Sequence, residues 1–142
     1  MLRGLDPILS PDILHRLAAM GHGDEIVIAD ANFPAESCGP AALRADGSNA
    51  SAMLRAVLSL MPLDNFVTDP ATTMQVVGDP GAVPDAVKDF QQIINETADH
   101  PAPIANLERY AFYDRAAMAV AVIQTGERRL YGNIILKKGV IK

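Results

Sequence analysis

The stretch from Glu25 to Ala29, EIVIA, is the feature that most limits what this chain can fold into. Its last four residues are apolar, and two isoleucines and a valine favour a β-strand. Such a strand has no polar face, so it must be covered on both sides, as happens in a sheet packed between helices. The stretch therefore predicts an α/β fold.

Helical and strand patterns alternate along the rest of the chain. Ser10 is a good N-cap for a helix that starts at Pro11 and stops at Gly21. Further helices are predicted at residues 50–60, 84–98 and 107–116, and further strands at residues 72–79, 118–126 and 130–139. We see no internal repeat, low-complexity tract or linker. We expect a single domain, residues 1–142, of class α/β with a mixed β-sheet between helices.

Charge and cysteine content narrow the choice of partner and compartment. The net charge is −5, whereas nucleic acids and anionic membranes select basic surfaces. No apolar run approaches the ~20 residues that span a bilayer, and the N-terminal residues do not resemble a secretory signal. Cys38 is the only cysteine, which excludes an intrachain disulfide. We expect a cytoplasmic protein that binds no nucleic acid and no membrane.

Several enzyme classes lack their motifs here. The chain has no G-x-S-x-G elbow, no G-x-x-x-x-G-K loop and no G-x-G-x-x-G after a strand. Its three histidines lie far apart, which disfavours zinc, and a metal held by His22, Asp24 and Glu25 is also disfavoured. Cys38 lacks the basic or helical surroundings that activate a thiol, so we interpret it as a small buried side chain rather than a nucleophile.

Polar residues flank the first strand. His22 precedes it between Gly21 and Gly23, which leave the imidazole open to a ligand. The same glycines would also serve a purely structural purpose, ending the helix and making the turn. Asp30 follows the strand, where α/β folds tend to bind ligands, or it caps the next turn. The residues alone leave both interpretations open.

Three other residues are candidates for binding a polar ligand. Tyr131 and Asn133 lie two apart in a predicted strand and therefore share a face. Their hydroxyl and amide would suit sugar hydroxyls, or they would simply be solvated. Arg109 would offer a forked donor to a ring or hydroxyl oxygen, or form a surface ion pair with Glu108 or Asp114.

Three blocks of the sequence carry a family resemblance. They are, in order, MGHGDEIVIADANFPAES, RYAFYDRA and YGNIILKKGVI. Together they resemble the RbsD/FucU family of D-ribose pyranases and L-fucose mutarotases, over essentially the whole chain. HGDEI, the FPA after the aspartate, and FYDRA followed by TGE are nearer to the fucose branch. Residues 63–104 are much less diagnostic.

The resemblance implies a three-layer α/β/α fold and cofactor-free, metal-free interconversion of the α and β anomers of L-fucose or a related pyranose. It also implies a catalytic acid/base, His22, and a set of sugar-binding residues: Asp30, Arg109, Tyr131, Gly132 and Asn133. Histidine suits both proton transfers of ring opening, because its unperturbed pKa of ~6.5 lies near neutral pH.

Other functions stay open beside this one. The same groups would serve an accessory sugar-binding protein without catalysis, a ribose pyranase, or chiefly an assembly protein. The glycine-flanked His22 favours the enzyme over the binding protein, since recognition alone does not require it.

Chain geometry predicts where a complete site can form. An extended segment over residues 24–29 separates His22 from Asp30 by roughly 20 Å, at about 3.3 Å per residue, which is more than one sugar ring spans. We therefore predict a composite site, in which His22 of one subunit meets Asp30, Tyr131 and Asn133 of a neighbour. The family resemblance implies a homo-oligomer, a ring or decamer, with sites at subunit interfaces.

Overall fold

A computed structural model describes the entire chain, residues 1–142. The helices are α1 (Pro11–Ala19), α2 (Ala35–Cys38), α3 (Ala50–Leu58), α4 (Asp85–Thr97) and α5 (Arg109–Ala116). The strands are β1 (Glu25–Ala29), β2 (Ala41–Ala45), β3 (Ala71–Met74), β4 (Ala105–Leu107), β5 (Ala121–Thr125) and β6 (Ile134–Lys137). None of these helices has both the length and the apolar character needed to cross a membrane.

The strands form one sheet in the order β2-β5-β1-β6-β3-β4. β6 runs antiparallel to both of its neighbours, and every other pair is parallel. The predicted mixed sheet is therefore confirmed. The carboxyl ends of β1, β3, β4 and β5 meet the amino end of β6 on one side of the molecule, called the carboxyl end of the sheet below. The opposite side is called the amino end.

Helices cover both faces of the sheet, and β1 shows why they must. Ile26 and Ile28 join the apolar cluster under α1, α3 and α4, whereas Val27 and Ala29 join the cluster under α2 and α5. All four side chains are fully buried, and burying an isoleucine or valine contributes roughly 1.5–3 kcal/mol. The α/β fold and its three-layer α/β/α arrangement are thus confirmed.

The structure differs from the predicted elements mainly at the periphery of the sheet. β2 and β4 are its outer strands and are only partly buried, so they lack the continuous apolar run by which β1 was found. The predicted strand at residues 130–139 is wrong in its first part, because β6 begins at Ile134. The one at residues 72–79 is wrong in its second part, because β3 ends at Met74. Tyr131 has a left-handed backbone, φ 59°, which interrupts an extended strand.

Candidate functional site

A pocket of about 270 Å³ opens at the carboxyl end of the sheet. Four of the predicted sugar-binding residues line it: Asp30, Arg109, Tyr131 and Asn133. Asp30 follows β1, Asn133 precedes β6, and Arg109 opens α5 just after β4. The volume lies just below the ~300–1,000 Å³ typical of pockets for drug-sized ligands, so the pocket suits a smaller molecule.

Asp30 and Asn133 both line the pocket and are joined to each other by two hydrogen bonds. The Asp30 N–H donates to Asn133 Oδ1 at 2.8 Å, and Asn133 Nδ2 donates to Asp30 Oδ2 at 3.1 Å. Asp30 Oδ1 also accepts from the Asn32 N–H at 2.9 Å, so Asp30 caps the turn as well as lining the pocket. Burial raises the pKa of the Asp30 carboxyl above its ordinary value, against the effect of these hydrogen bonds.

Tyr131 lines the pocket, whereas the adjacent Gly132, also predicted to bind the sugar, does not line it. The Tyr131 hydroxyl accepts the Val77 N–H at 3.1 Å, so its own proton remains available to a ligand in the pocket. A Cβ at Gly132 would lie only 2.8 Å from Glu127 Cγ, which explains why this position has no side chain. The Gly132 N–H donates to Asp30 Oδ2 at 3.2 Å.

Arg109 reaches the pocket from the start of α5. Its guanidinium lies 5.6 Å from the ring centroids of Tyr110 and Tyr113, and Nε donates to the Tyr113 hydroxyl at 3.3 Å. The alternative ion pair with Glu108 is not formed; one oxygen of that carboxylate, Oε2, accepts from two backbone N–H groups in the first turn of α5. No ion pair joins Arg109 to Asp114 either. Its remaining N–H groups are therefore free for a ligand.

His22 lies at the amino end of the sheet and does not line the pocket. The Gly23 N–H donates to the Lys138 carbonyl just beyond β6, at 2.9 Å. Strand β1 thus lies between His22 and Asp30 within one chain, as the strand length predicted. The imidazole is half-exposed and packs 5.2 Å from the Phe66 ring, measured between centroids.

The loop around His22 also has the structural features that the glycines suggested. Gly23 has a φ of 85°, which favours glycine, and the Gly21 N–H donates to Asp24 Oδ2 at 2.8 Å. Lys138 Nζ donates to two carbonyl groups at the end of α1. No three His, Cys, Asp or Glu side chains are grouped to hold a metal.

The carboxylate of Asp64 is a partner of His22 that sequence reasoning missed. Asp64 is buried, and its Oδ1 lies 3.2 Å from His22 Nε2. If Nε2 carries the proton donated to Asp64, Nδ1 is the acceptor nitrogen of the neutral ring. The two residues are 42 positions apart, and a lone aspartate after Pro62-Leu63 gives no local pattern that links it to a histidine.

Other sequence interpretations concern residues outside the pocket. His15 and His100 are exposed and do not line the pocket. Cys38 is only half-buried, beside the smaller apolar cluster. Burial raises the pKa of its thiol, which disfavours the reactive thiolate. Sequence reasoning also missed six of the residues that line the pocket: Asn32, Phe33, Met74, Val77, Tyr113 and Leu130.

Comparisons with known proteins agree with the sequence resemblance. The model of the RbsD / FucU transport protein family matches residues 3–141. The chain is 49% identical to a fucose mutarotase of Mus musculus, over 99% of this chain and 95% of the mouse protein. It is 47% identical to a fucose mutarotase of Homo sapiens, over 99% and 94% of the two chains. The crystal structure of the fucose mutarotase from Streptococcus pneumoniae in complex with L-fucose has a TM-score of 0.92 and 42% identity, covering 99% of this chain and 100% of that one.

Proposed function

The chain belongs to the RbsD/FucU family, and from that premise we propose that it is a single-domain sugar mutarotase, an isomerase that interconverts the α and β anomers of L-fucose. The observation that carries the proposal is one pocket on which Asp30, Arg109, Tyr131 and Asn133 converge. Its chain is 42–49% identical to proteins named fucose mutarotase, one of them with L-fucose bound. A cytoplasmic location is part of the proposal and is based on the single cysteine.

The pocket offers the hydrogen bonds that a sugar ring needs. The Asp30 carboxylate accepts from sugar hydroxyls, whereas Arg109 and the Tyr131 hydroxyl donate to sugar oxygens. The ring then opens as a base removes the proton of the anomeric hydroxyl and an acid protonates the ring oxygen. Rotation about the bond to the anomeric carbon and reclosure give the other anomer. This exchange proceeds slowly in water, so one positioned acid–base group suffices to accelerate it.

We assign the acid–base step to His22 of a neighbouring subunit. Two features support this composite site. His22 and the pocket lie at opposite ends of β1 within one chain. Large apolar side chains are exposed at both ends: Phe66 and Met118 on the side of His22, and Val77 and Leu130 at the pocket. A head-to-tail contact would cover both patches, and repetition of such a contact closes a ring.

Anomer exchange measured by NMR tests the proposed function. Adding the protein to L-fucose is expected to increase the exchange rate between the α and β signals in proportion to protein concentration. Titration of the protein with L-fucose measures binding of the sugar. Binding without faster exchange would instead identify an accessory sugar-binding protein, and acceleration only with D-ribose would favour the pyranase alternative.

A substitution of Tyr131 tests whether the pocket is the sugar site. Tyr131→Phe deletes one hydroxyl from the pocket, and a hydrogen bond of this kind contributes roughly 0.5–1.5 kcal/mol, so affinity for L-fucose should fall about two- to tenfold. Tyr110→Phe is the matched control, because that exposed hydroxyl lies outside the pocket. Asn133→Ala should weaken binding further, since it also leaves Asp30 without its partner. Wild-type affinity in both Tyr131→Phe and Asn133→Ala would show that the sugar binds elsewhere.

A further inference from the structure

An ion pair between the buried Glu127 and the partly exposed Arg129 lies in residues 126–133, which are called the pocket loop below. Glu127 is buried, and its Oε1 accepts from the Arg129 backbone N–H at 2.9 Å and from Arg129 Nε at 3.0 Å. Its Oε2 accepts from Arg129 Nη2 at 3.0 Å. The Arg129 guanidinium therefore donates to both oxygens of the Glu127 carboxylate, which is the strongest geometry for such an ion pair.

Arg129 also fastens the pocket loop to two helices on one face of the sheet. Its Nη2 donates to Ser51 Oγ in α3 at 2.9 Å, and its Nη1 forms an ion pair with Asp89 in α4. Both helices pack on the larger apolar cluster. The loop is thus anchored to a rigid part of the fold, although the arginine itself does not line the pocket.

Glu127 transmits this anchoring to the sugar-binding groups by two contacts. A Cβ built at Gly132 would lie 2.8 Å from Glu127 Cγ and 3.4 Å from Asp30 Cβ, so both side chains pack against that glycine. The Glu127 carbonyl accepts the Ala31 N–H at 2.9 Å and holds the chain just after Asp30. A displacement of Glu127 would therefore shift both the Gly132 N–H and the turn that Asp30 caps.

The buried Glu127 carboxylate depends on Arg129 for its countercharge. The hydrogen bond from Arg129 holds the pKa of the Glu127 carboxyl below its ordinary value, although burial opposes this. Without the guanidinium, a carboxylate would be left buried with neither its forked donor nor its countercharge. It would then take up a proton or turn toward water, and turning toward water would move the Glu127 side chain away from Gly132.

We propose that Arg129 is a positioning residue for sugar binding: through Glu127 it sets the position of Gly132 and Asp30 in the pocket. The inference rests on the proposed function, because that function identifies L-fucose as the sugar that the pocket binds. Arg129 touches no sugar and takes part in no proton transfer. Its effect is therefore expected on KM and Kd and not on the rate at saturating sugar.

Three variants test this inference: Arg129→Ala, Arg129→Lys and, as matched control, Arg128→Ala. Arg128 is the neighbouring arginine, and it is exposed. Circular dichroism first establishes that each variant is folded at the assay temperature. Arg129→Ala should raise KM for L-fucose anomer exchange and the Kd from titration about five- to tenfold, as for the loss of one hydrogen bond to the sugar. Its kcat should change by less than about twofold.

Arg129→Lys keeps the charge but not the fork, so it should restore part of the affinity. A folded Arg129→Ala protein with the KM and Kd of Arg128→Ala would overturn the proposal. So would an equal loss in kcat with KM unchanged. If Arg129→Ala does not fold, an unchanged KM in Arg129→Lys would overturn it in the same way.

These outcomes are distinct from failure of the proposed function itself. That failure would appear as no faster anomer exchange with the wild-type protein. In that case the Kd values from titration still compare Arg129→Ala with Arg128→Ala and so still test the positioning of the pocket.

Discussion

Replacing His22 with alanine is expected to slow L-fucose anomer exchange by about 10²–10⁴-fold, the range that one positioned acid–base group contributes. The fold should survive, since the imidazole is half-exposed and its one side-chain hydrogen bond is to Asp64. The loop itself is held by backbone contacts, including the Gly23 N–H to the Lys138 carbonyl. NMR exchange rates at equal protein concentration measure the effect.

The control for this variant is His15→Ala, which removes an exposed histidine from α1. It should exchange the anomers at the wild-type rate, whereas His22→Ala should still bind the sugar with nearly unchanged affinity. A folded His22→Ala protein with wild-type exchange would show that the imidazole is not the acid–base group.

Mixed oligomers of His22→Ala and Asp30→Asn are expected to be more active than either variant alone. In a composite site, His22→Ala supplies an intact pocket and Asp30→Asn supplies an intact histidine. Random mixing in equal amounts would make about one site in four complete. Asn is chosen over Ala because it is isosteric and can still accept from the Asn32 N–H with its amide oxygen.

Co-expression with two different tags, followed by sequential purification on both, isolates the hybrid oligomers for the exchange assay. The control combines His22→Ala with a chain that carries both substitutions, which cannot form a complete site and should stay inactive. Confirmed hybrids that show no recovery would refute the composite site, and so would a monomeric species with full activity.

Local sequence patterns predicted much of the fold, and together with the family resemblance they predicted four of the ten residues that line the pocket. The EIVIA stretch predicted a doubly covered strand because the burial of both faces follows from side-chain alternation within five residues. Ser10 and Pro11 predicted the start of α1, and Ser10 Oγ does accept the Ile13 N–H. Asp30 was predicted to lie at a ligand-binding end of the sheet because it directly follows the strand predicted at residues 25–29. The separation of His22 from Asp30 followed in the same way from the length of β1.

Contacts between distant parts of the chain were decided by the tertiary structure alone. Asp64 meets His22 across 42 positions and Arg129 meets Asp89 across 40, and both pairs form only when the fold brings these distant segments together. The left-handed Tyr131 depends likewise on residues that pack around it. Strand order follows from burying all apolar faces of the chain at once. Helix caps, strand periodicity and strand length involve residues that are close in sequence, so they can be predicted from the sequence. The partner of a buried charge such as Asp64 lies far away in the sequence, so it is decided only when the whole chain has folded.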